Sequence, residues 1–169
     1  ISSSTFADVN TLISNRGISG NAINIDNDYN VTLSDVSISA ANIKVVNNDT
    51  SGTINISAAT TITSSTIADV LEIVQNTGSV FTTATNYAVT LSDTSASAAN
   101  LNTINADTTG LVTATNVTTI SSSAVSDVLT LISNRGISGD KINLSGTFTV
   151  TLSDAAATVI NATDLSAIG

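Results

Sequence analysis

Two patterns of apolar and polar positions alternate along the chain. One, termed type A, reads "ISSSTFADVNTLISNRG" at 1–17, "ITSSTIADVLEIVQNTG" at 62–78 and "ISSSAVSDVLTLISNRG" at 120–136. After a Ser/Thr cluster, its apolar residues return at helical spacing: Phe6, Val9, Leu12, Ile13; Ile67, Val70, Leu71, Val74; Val125, Val128, Leu129, Ile132. That spacing predicts a short amphipathic helix, with Leu12, Val70, Leu71, Leu129 and Ile132 in the core. Asp8, Asp69 and Asp127 fall where the first turn would be, and a carboxylate there meets the positive end of the helix dipole. Gly17, Gly78 and Gly136 are expected to cap the other end, with Arg16 and Arg135 in the last turn.

The second pattern, type B, reads "VTLSDVSISAANIKVVNNDTSG" at 31–52 and "VTLSDTSASAANLNTINADTTG" at 89–110, with a shorter copy from 150. A strand-like "VTL" leads into an Ala-rich helix carrying Ile43 and Val46, or Leu101 and Ile104, which Gly52 and Gly110 are expected to terminate. The small alanines predict a close approach to whatever lies beneath. Further extended stretches follow the glycines, at "AINI" (22–25), "TINIS" (53–57), "VFTTA" (80–84), "LVTAT" (111–115) and "KINLS" (141–145). Several alternate apolar with polar residues, as half-buried strands do.

The units therefore repeat, each about 30 residues long, and a period of that size marks a stacked architecture. "LISNRGISG" stands at 12–20 and again, unchanged, at 131–139. Stacked units must present the same groups in the same places, because each is completed by its neighbours. The expected fold class is α/β: a repeat solenoid of about six strand–short helix–strand coils with parallel sheets. Its approximate coils are 1–30, 31–60, 61–88, 89–118, 119–149 and 150–169, forming a single segment over 1–169. An all-β right-handed β-helix is the alternative.

Composition narrows the chemistry. Apolar residues make up 41% of the chain and charged ones 10%, so Ser, Thr and Asn must carry solubility. Thirteen acids against four bases give a net charge of −9. Nucleic acid and anionic membranes call for clustered bases, so neither is an expected partner. No apolar run approaches the roughly 18 residues of a membrane span. Without His or Cys, neither a Ser-His-Asp triad nor an ordinary zinc site can be assembled. No enzymatic activity is expected. With Ile first and nothing resembling a signal peptide, the sequence reads as an excerpt from a longer chain.

Calcium is the one cofactor the sequence raises. In "DNDYN", Asp26, Asp28 and Asn30 alternate as oxygen ligands do at the front of a calcium loop, although the later Gly and Glu are missing. Asp35, Asp93 and Asp154, the last residues of the three "VTLSD" copies, form a second candidate column of ligands. Their competing role is helix capping, since Ser64 or Ser123 stands near the corresponding place and Ser and Asp are both good N-caps. Asp49 and Asp107 precede Thr/Ser-Gly turns and read as turn residues.

The alternation of "VTLSD…SAANLNTINADTTGLVTA" with "SSSTIADVLEIV" resembles repeat segments of very large secreted or surface proteins of bacteria, notably marine cyanobacteria, some of which also carry RTX-type calcium repeats. The Gly-Gly-x-Gly-x-Asp nonapeptide of those calcium rolls is absent. The resemblance implies an extracellular or cell-surface location and a structural role as stalk, coat or filament. Partners would be adjacent repeats or further copies stacked head to tail. The alternative is an adhesin module for a glycan or cell surface, for which Tyr29 and Tyr87 are sparse aromatic provision.

Overall fold

A computed structural model describes residues 1–17, 20, 22–154 and 162–168. In chain order the first elements are α1 (Phe6–Ser14), β1 (Val31–Thr32), β2 (Ser37–Ile38), α2 (Ala40–Asp49), β3 (Ile54–Asn55), β4 (Thr61–Ser65), α3 (Ile67–Gln75) and β5 (Phe81–Thr82). There follow β6 (Ala88–Leu91), β7 (Ser95–Ala96), α4 (Ala98–Asp107), β8 (Val112–Ala114), β9 (Thr119–Ser123), α5 (Val125–Ser133), β10 (Ile142–Leu144), β11 (Thr149–Leu152) and α6 (Ala162–Ile168). The protein is α/β with parallel sheets, and its helices set aside the all-β alternative. The shorter type B copy from 150 lies partly outside the described residues.

Among the described residues every strand pairing is parallel, and neighbours in a sheet are never consecutive in the chain. The three sheets run β1-β3-β5, β2-β4-β6-β8-β10 and β7-β9-β11. Helices pack in chain order, α1 on α2 through to α5 on α6. The ladder returns early in the type B units, with Val31 opposite Ile54 and Val89 opposite Val112, while Val112 lies opposite Ile142 and Thr119 opposite Thr149, at the 30-residue period. Type B units are the tighter ones, because their helix leads directly through a Thr-Thr/Ser-Gly turn into the next strand.

The first two "VTL" strands are paired on both edges. β6 lies beside β4 of the preceding type A unit, with Ile62 opposite Val89, and beside β8 of the following one, with Val89 opposite Val112. The first copy does the same: Leu33 bridges back to Ser4, while β1 pairs forward with β3.

The core is one continuous cluster. It takes the inward side chains of the strands, among them Ile54, Ile62, Val89, Val112, Ile120 and Ile142, and one line of each helix. That line differs from the expected stripe. Val9, Val70, Val128, Ile73 and Leu131 are buried, whereas Leu12, Leu71, Leu129 and Ile132 are only partly so. A helix of nine residues lying on a sheet buries positions i, i+3 and i+6, and Leu71, Leu129 and Ile132 stand one further along; in α1 only Val9 of that line is buried, Leu12 being half-exposed at i+6. Ala40 and Ala98 are fully buried, as the close approach required.

The longest strands, β4 and β9, fall on the Ser/Thr clusters, which the apolar pattern alone assigns to helix starts. Each carries one inward Ile and one inward Ser. Ser3, Ser64 and Ser122 adopt positive φ of 37°, 36° and 41°. At Ser64 the register slips, so that Ile62 faces Val89 but Ser65 faces Leu91. This bulge re-aims the next serine, a usual role for such insertions.

Candidate functional site

The residues singled out for chemistry converge on the helix ends. Asp35 Oδ2 accepts from the Phe6 amide at 2.7 Å, Asp93 Oδ2 from Ile67 at 2.7 Å, and Asp154 Oδ2 from Val125 at 2.9 Å. Each is the first amide of a type A helix, capped by an aspartate that lies 26 to 29 residues further along the chain. The reciprocal bond joins type B helices to the next type A unit. Ser65 Oγ accepts from Ala40 N and Ser123 Oγ from Ala98 N, both at 2.8 Å. The sequence points to Ser64 or Ser123 here; Ser123 takes the role, whereas in the earlier unit the bulge turns Ser64 outward and presents Ser65 instead. Asp and Ser thus alternate in a column of caps, each tying one unit to the one before it.

Local caps supplement the column. Thr5 and Thr66 hydroxyls accept from the Asp8 and Asp69 amides and donate to the carboxylates of the same two residues. Ser39 and Ser97 do the same for the Asn42 and Asn100 amides. Asp127 also stands in a first turn, but Ala124 at the cap of α5 offers no hydroxyl. Asp154 is therefore the side-chain cap that α5 receives.

At the other helix ends the sequence expectations need correcting. The C-caps of the type A helices are Asn15, Asn76 and Asn134, and the glycines lie beyond them. Gly78 has φ of +82°, a conformation suited to glycine, while Gly17 and Gly136 leave room for Ala22 and Lys141. Gly52 and Gly110 do not end α2 and α4 either, because the C-caps are Thr50 and Thr108. A Cβ at Gly52 would strike the Tyr29 carbonyl, and at Gly110 that of Tyr87, so close backbone passage requires glycine at both. Arg16 and Arg135 also lie outside their helices, past the C-caps.

Arg16 instead builds a cluster that the pattern did not foretell. Its guanidinium reaches Asp49 Oδ2 and Asn27 Oδ1, both at 2.5 Å, and the Asp49 and Ile25 carbonyls at 3.0 Å. It also lies over the Tyr29 ring, 5.5 Å from its centre, and Tyr29 donates its hydroxyl to Asp49. Tyr87 and Asp107 form the equivalent pair at 2.5 Å, with the same separation of 20 residues. That shared spacing in two copies is the signal by which sequence reading could have found it. Burial, then the hydrogen bond to Asp49, pushes the Tyr29 phenol up to about 12, and the same two causes raise Tyr87.

The first calcium candidate does not assemble. Asp26 and Asp28 are exposed, and Asn30 Oδ1 is engaged by the amide and hydroxyl of Thr53 at 2.8 and 2.9 Å. Asp35, Asp93 and Asp154 are spread along the cap column instead of gathering around one point. Among the described residues, no three acidic side chains come together in a way that could hold a metal ion, and no helix is long and apolar enough to cross a membrane. No family model, curated protein or solved structure matches the chain.

Proposed function

We propose that the chain is a solenoid segment serving as a structural module of a long extracellular bacterial protein: a stalk, surface coat or filament. The observation that carries this reading is the alternating column of caps. Five successive helices draw their first-amide partner from the unit that follows, so each unit is finished by its neighbour. Parallel pairing to the strand two places on repeats the same dependence in the sheets. Such a stack lengthens by adding units without changing any contact already made. Tyr29 and Tyr87, the two tyrosines of the chain, are turned inward, and Tyr87 is only 1% exposed. That leaves neither as an open platform for stacking a sugar ring and favours the structural role over the adhesin.

The expected mode of action is head-to-tail stacking. Among the described residues, β11 is an outermost strand paired on one side only, to β9, whereas β1 and β10 also bond to residues 1–4 and 134–136 on their other sides. The chain contains no proline to blunt such an edge. In a longer chain further repeats would occupy that edge; for the segment alone, another copy would. A heterologous contact of this kind grows linearly unless its rotation closes a ring. Sedimentation velocity over a range of concentrations should show a series of linear oligomers. A single monomeric species at the highest concentration would contradict the head-to-tail reading.

A further inference from the structure

The seam between α4 and α5 opens into a cavity of about 510 Å³, lined in part by Asn102, Asn105, Asp107, Thr130, Asn134 and Asp140. Its two amides are oriented by their nitrogens. Asn102 Nδ2 donates to the Asp127 carbonyl at 2.9 Å, and Asn105 Nδ2 to Asp140 Oδ1 at 3.3 Å. The amide oxygens are then the free ends. Asn102 Oδ1 and Asn105 Oδ1 are both buried without a hydrogen-bond partner, and Asn105 as a whole is only 7% exposed. Buried acceptors are costly to leave unpaired, so these two call for a ligand.

The equivalent seam one A/B repeat earlier shows what is missing. Between α2 and α3, Lys44 lies in the place of Asn102 and bridges Asp69 at 2.9 Å and Glu72 at 3.2 Å. Asn47, the counterpart of Asn105, donates to Glu72 at 3.1 Å. Thr130 replaces Glu72 in the later seam, which shortens that side chain and opens the space. A second base is lost as well. Arg16 neutralises Asp49, but Thr77 stands at its position in "QNTG", so Asp107 keeps its tyrosine without a guanidinium. The later repeat has lost both bases, retains Asp107 and adds Asp140 from the loop after α5.

We propose that this cavity binds a hydrated divalent cation of the calcium type. Asp107 and Asp140 supply the charge, and Asn102 Oδ1 and Asn105 Oδ1 the neutral ligands. Calcium accepts six to eight oxygens, mixing carboxylates, amide carbonyls and water, in flexible geometry. The volume leaves room for retained waters, and the six residues named carry no base that would compete. The cation thus takes over in this seam the part that Lys44 and Arg16 play in the earlier one.

The test uses terbium as a luminescent stand-in for calcium, excited through tyrosine, because the Tyr87 hydroxyl is bonded to Asp107. The unaltered chain should show terbium luminescence displaced by calcium, and a melting temperature raised by calcium. Asp140→Asn, at an exposed position, should keep the fold and weaken binding by about tenfold or more. Asn102→Lys combined with Thr130→Glu rebuilds the earlier seam and should make the melting temperature indifferent to calcium. Absence of calcium-displaceable luminescence at millimolar metal would overturn the proposal. So would equal affinity in the Asp140→Asn variant, which would place the metal elsewhere.

Discussion

Tyr29 and Tyr87 spend their hydroxyls on the aspartates that end α2 and α4. The bond is open to a protonated phenol and closed to a phenolate, which would face a carboxylate at short range. For Tyr29 the folded value of about 12 lies above the ordinary 10.0. A raised value means that the folded state holds the proton more tightly, so the stabilisation is complete below pH about 10. It is lost as pH rises from there through about 12. Alkaline titration followed by tyrosinate absorbance should therefore show no ionisation step near pH 10 while the fold persists. Two phenols ionising near 10 in a folded chain would contradict the pairing. At this scale the sequence is readable only where copies can be aligned. "DYN" and "NYAV" look like polar loop residues until both are seen to stand the same distance before an Asp-Thr.

At the scale of the element, apolar spacing located all three type A helices and both fully described type B helices. It placed Val70 correctly in the core but set Leu71, Leu129 and Ile132 there too, one position past the buried line. The spacing i, i+3, i+4, i+7 describes the whole apolar face of a helix, but a two-turn helix on a sheet buries only its central line. Leu129 and Leu131 separate these readings. Leu131→Ala, at a fully buried site, should cost about 2–5 kcal/mol in denaturant unfolding. Leu129→Ala should cost clearly less, and the reverse order would restore the other register. The strands β4 and β9 were hidden for a different reason. "TITSS" and "TISSS" carry a single inward Ile each, and their inward Ser65 and Ser123 are polar because they cap a helix in the preceding unit. A serine whose purpose lies 25 residues back leaves no local apolar signal. Likewise, the aspartates of "VTLSD" could be read as caps from the Ser/Asp exchange, but which helix they cap follows only from the sheet register.

For the whole molecule, the repeats made parallel α/β architecture legible, and the three-sheet arrangement was not. The "VTL" strand β6 pairs back to β4 and forward to β8, so these strands form one five-stranded sheet, separate from the three-stranded sheets β1-β3-β5 and β7-β9-β11. Nothing in "VTLSD" distinguishes its two edges, because both are read by backbone hydrogen bonds. If the units stack as proposed, stability is expected to be a sum over units and their interfaces, with the cap column among the interface contributions. Asp93→Ala isolates one of these. It leaves the Ile67 amide, whose residue is 6% exposed, without its side-chain acceptor, at a cost of about 1–2 kcal/mol by the usual worth of a helix cap. The most direct test of neighbour-by-neighbour construction is native-state amide hydrogen exchange on this variant, read along the chain. The account predicts that protection falls in α3 and in the α4 unit that caps it, while α1 and the ladder joining Ser4 to Leu33 keep theirs. An equal loss of protection in every helix would show a single cooperative globule and contradict the stacked construction.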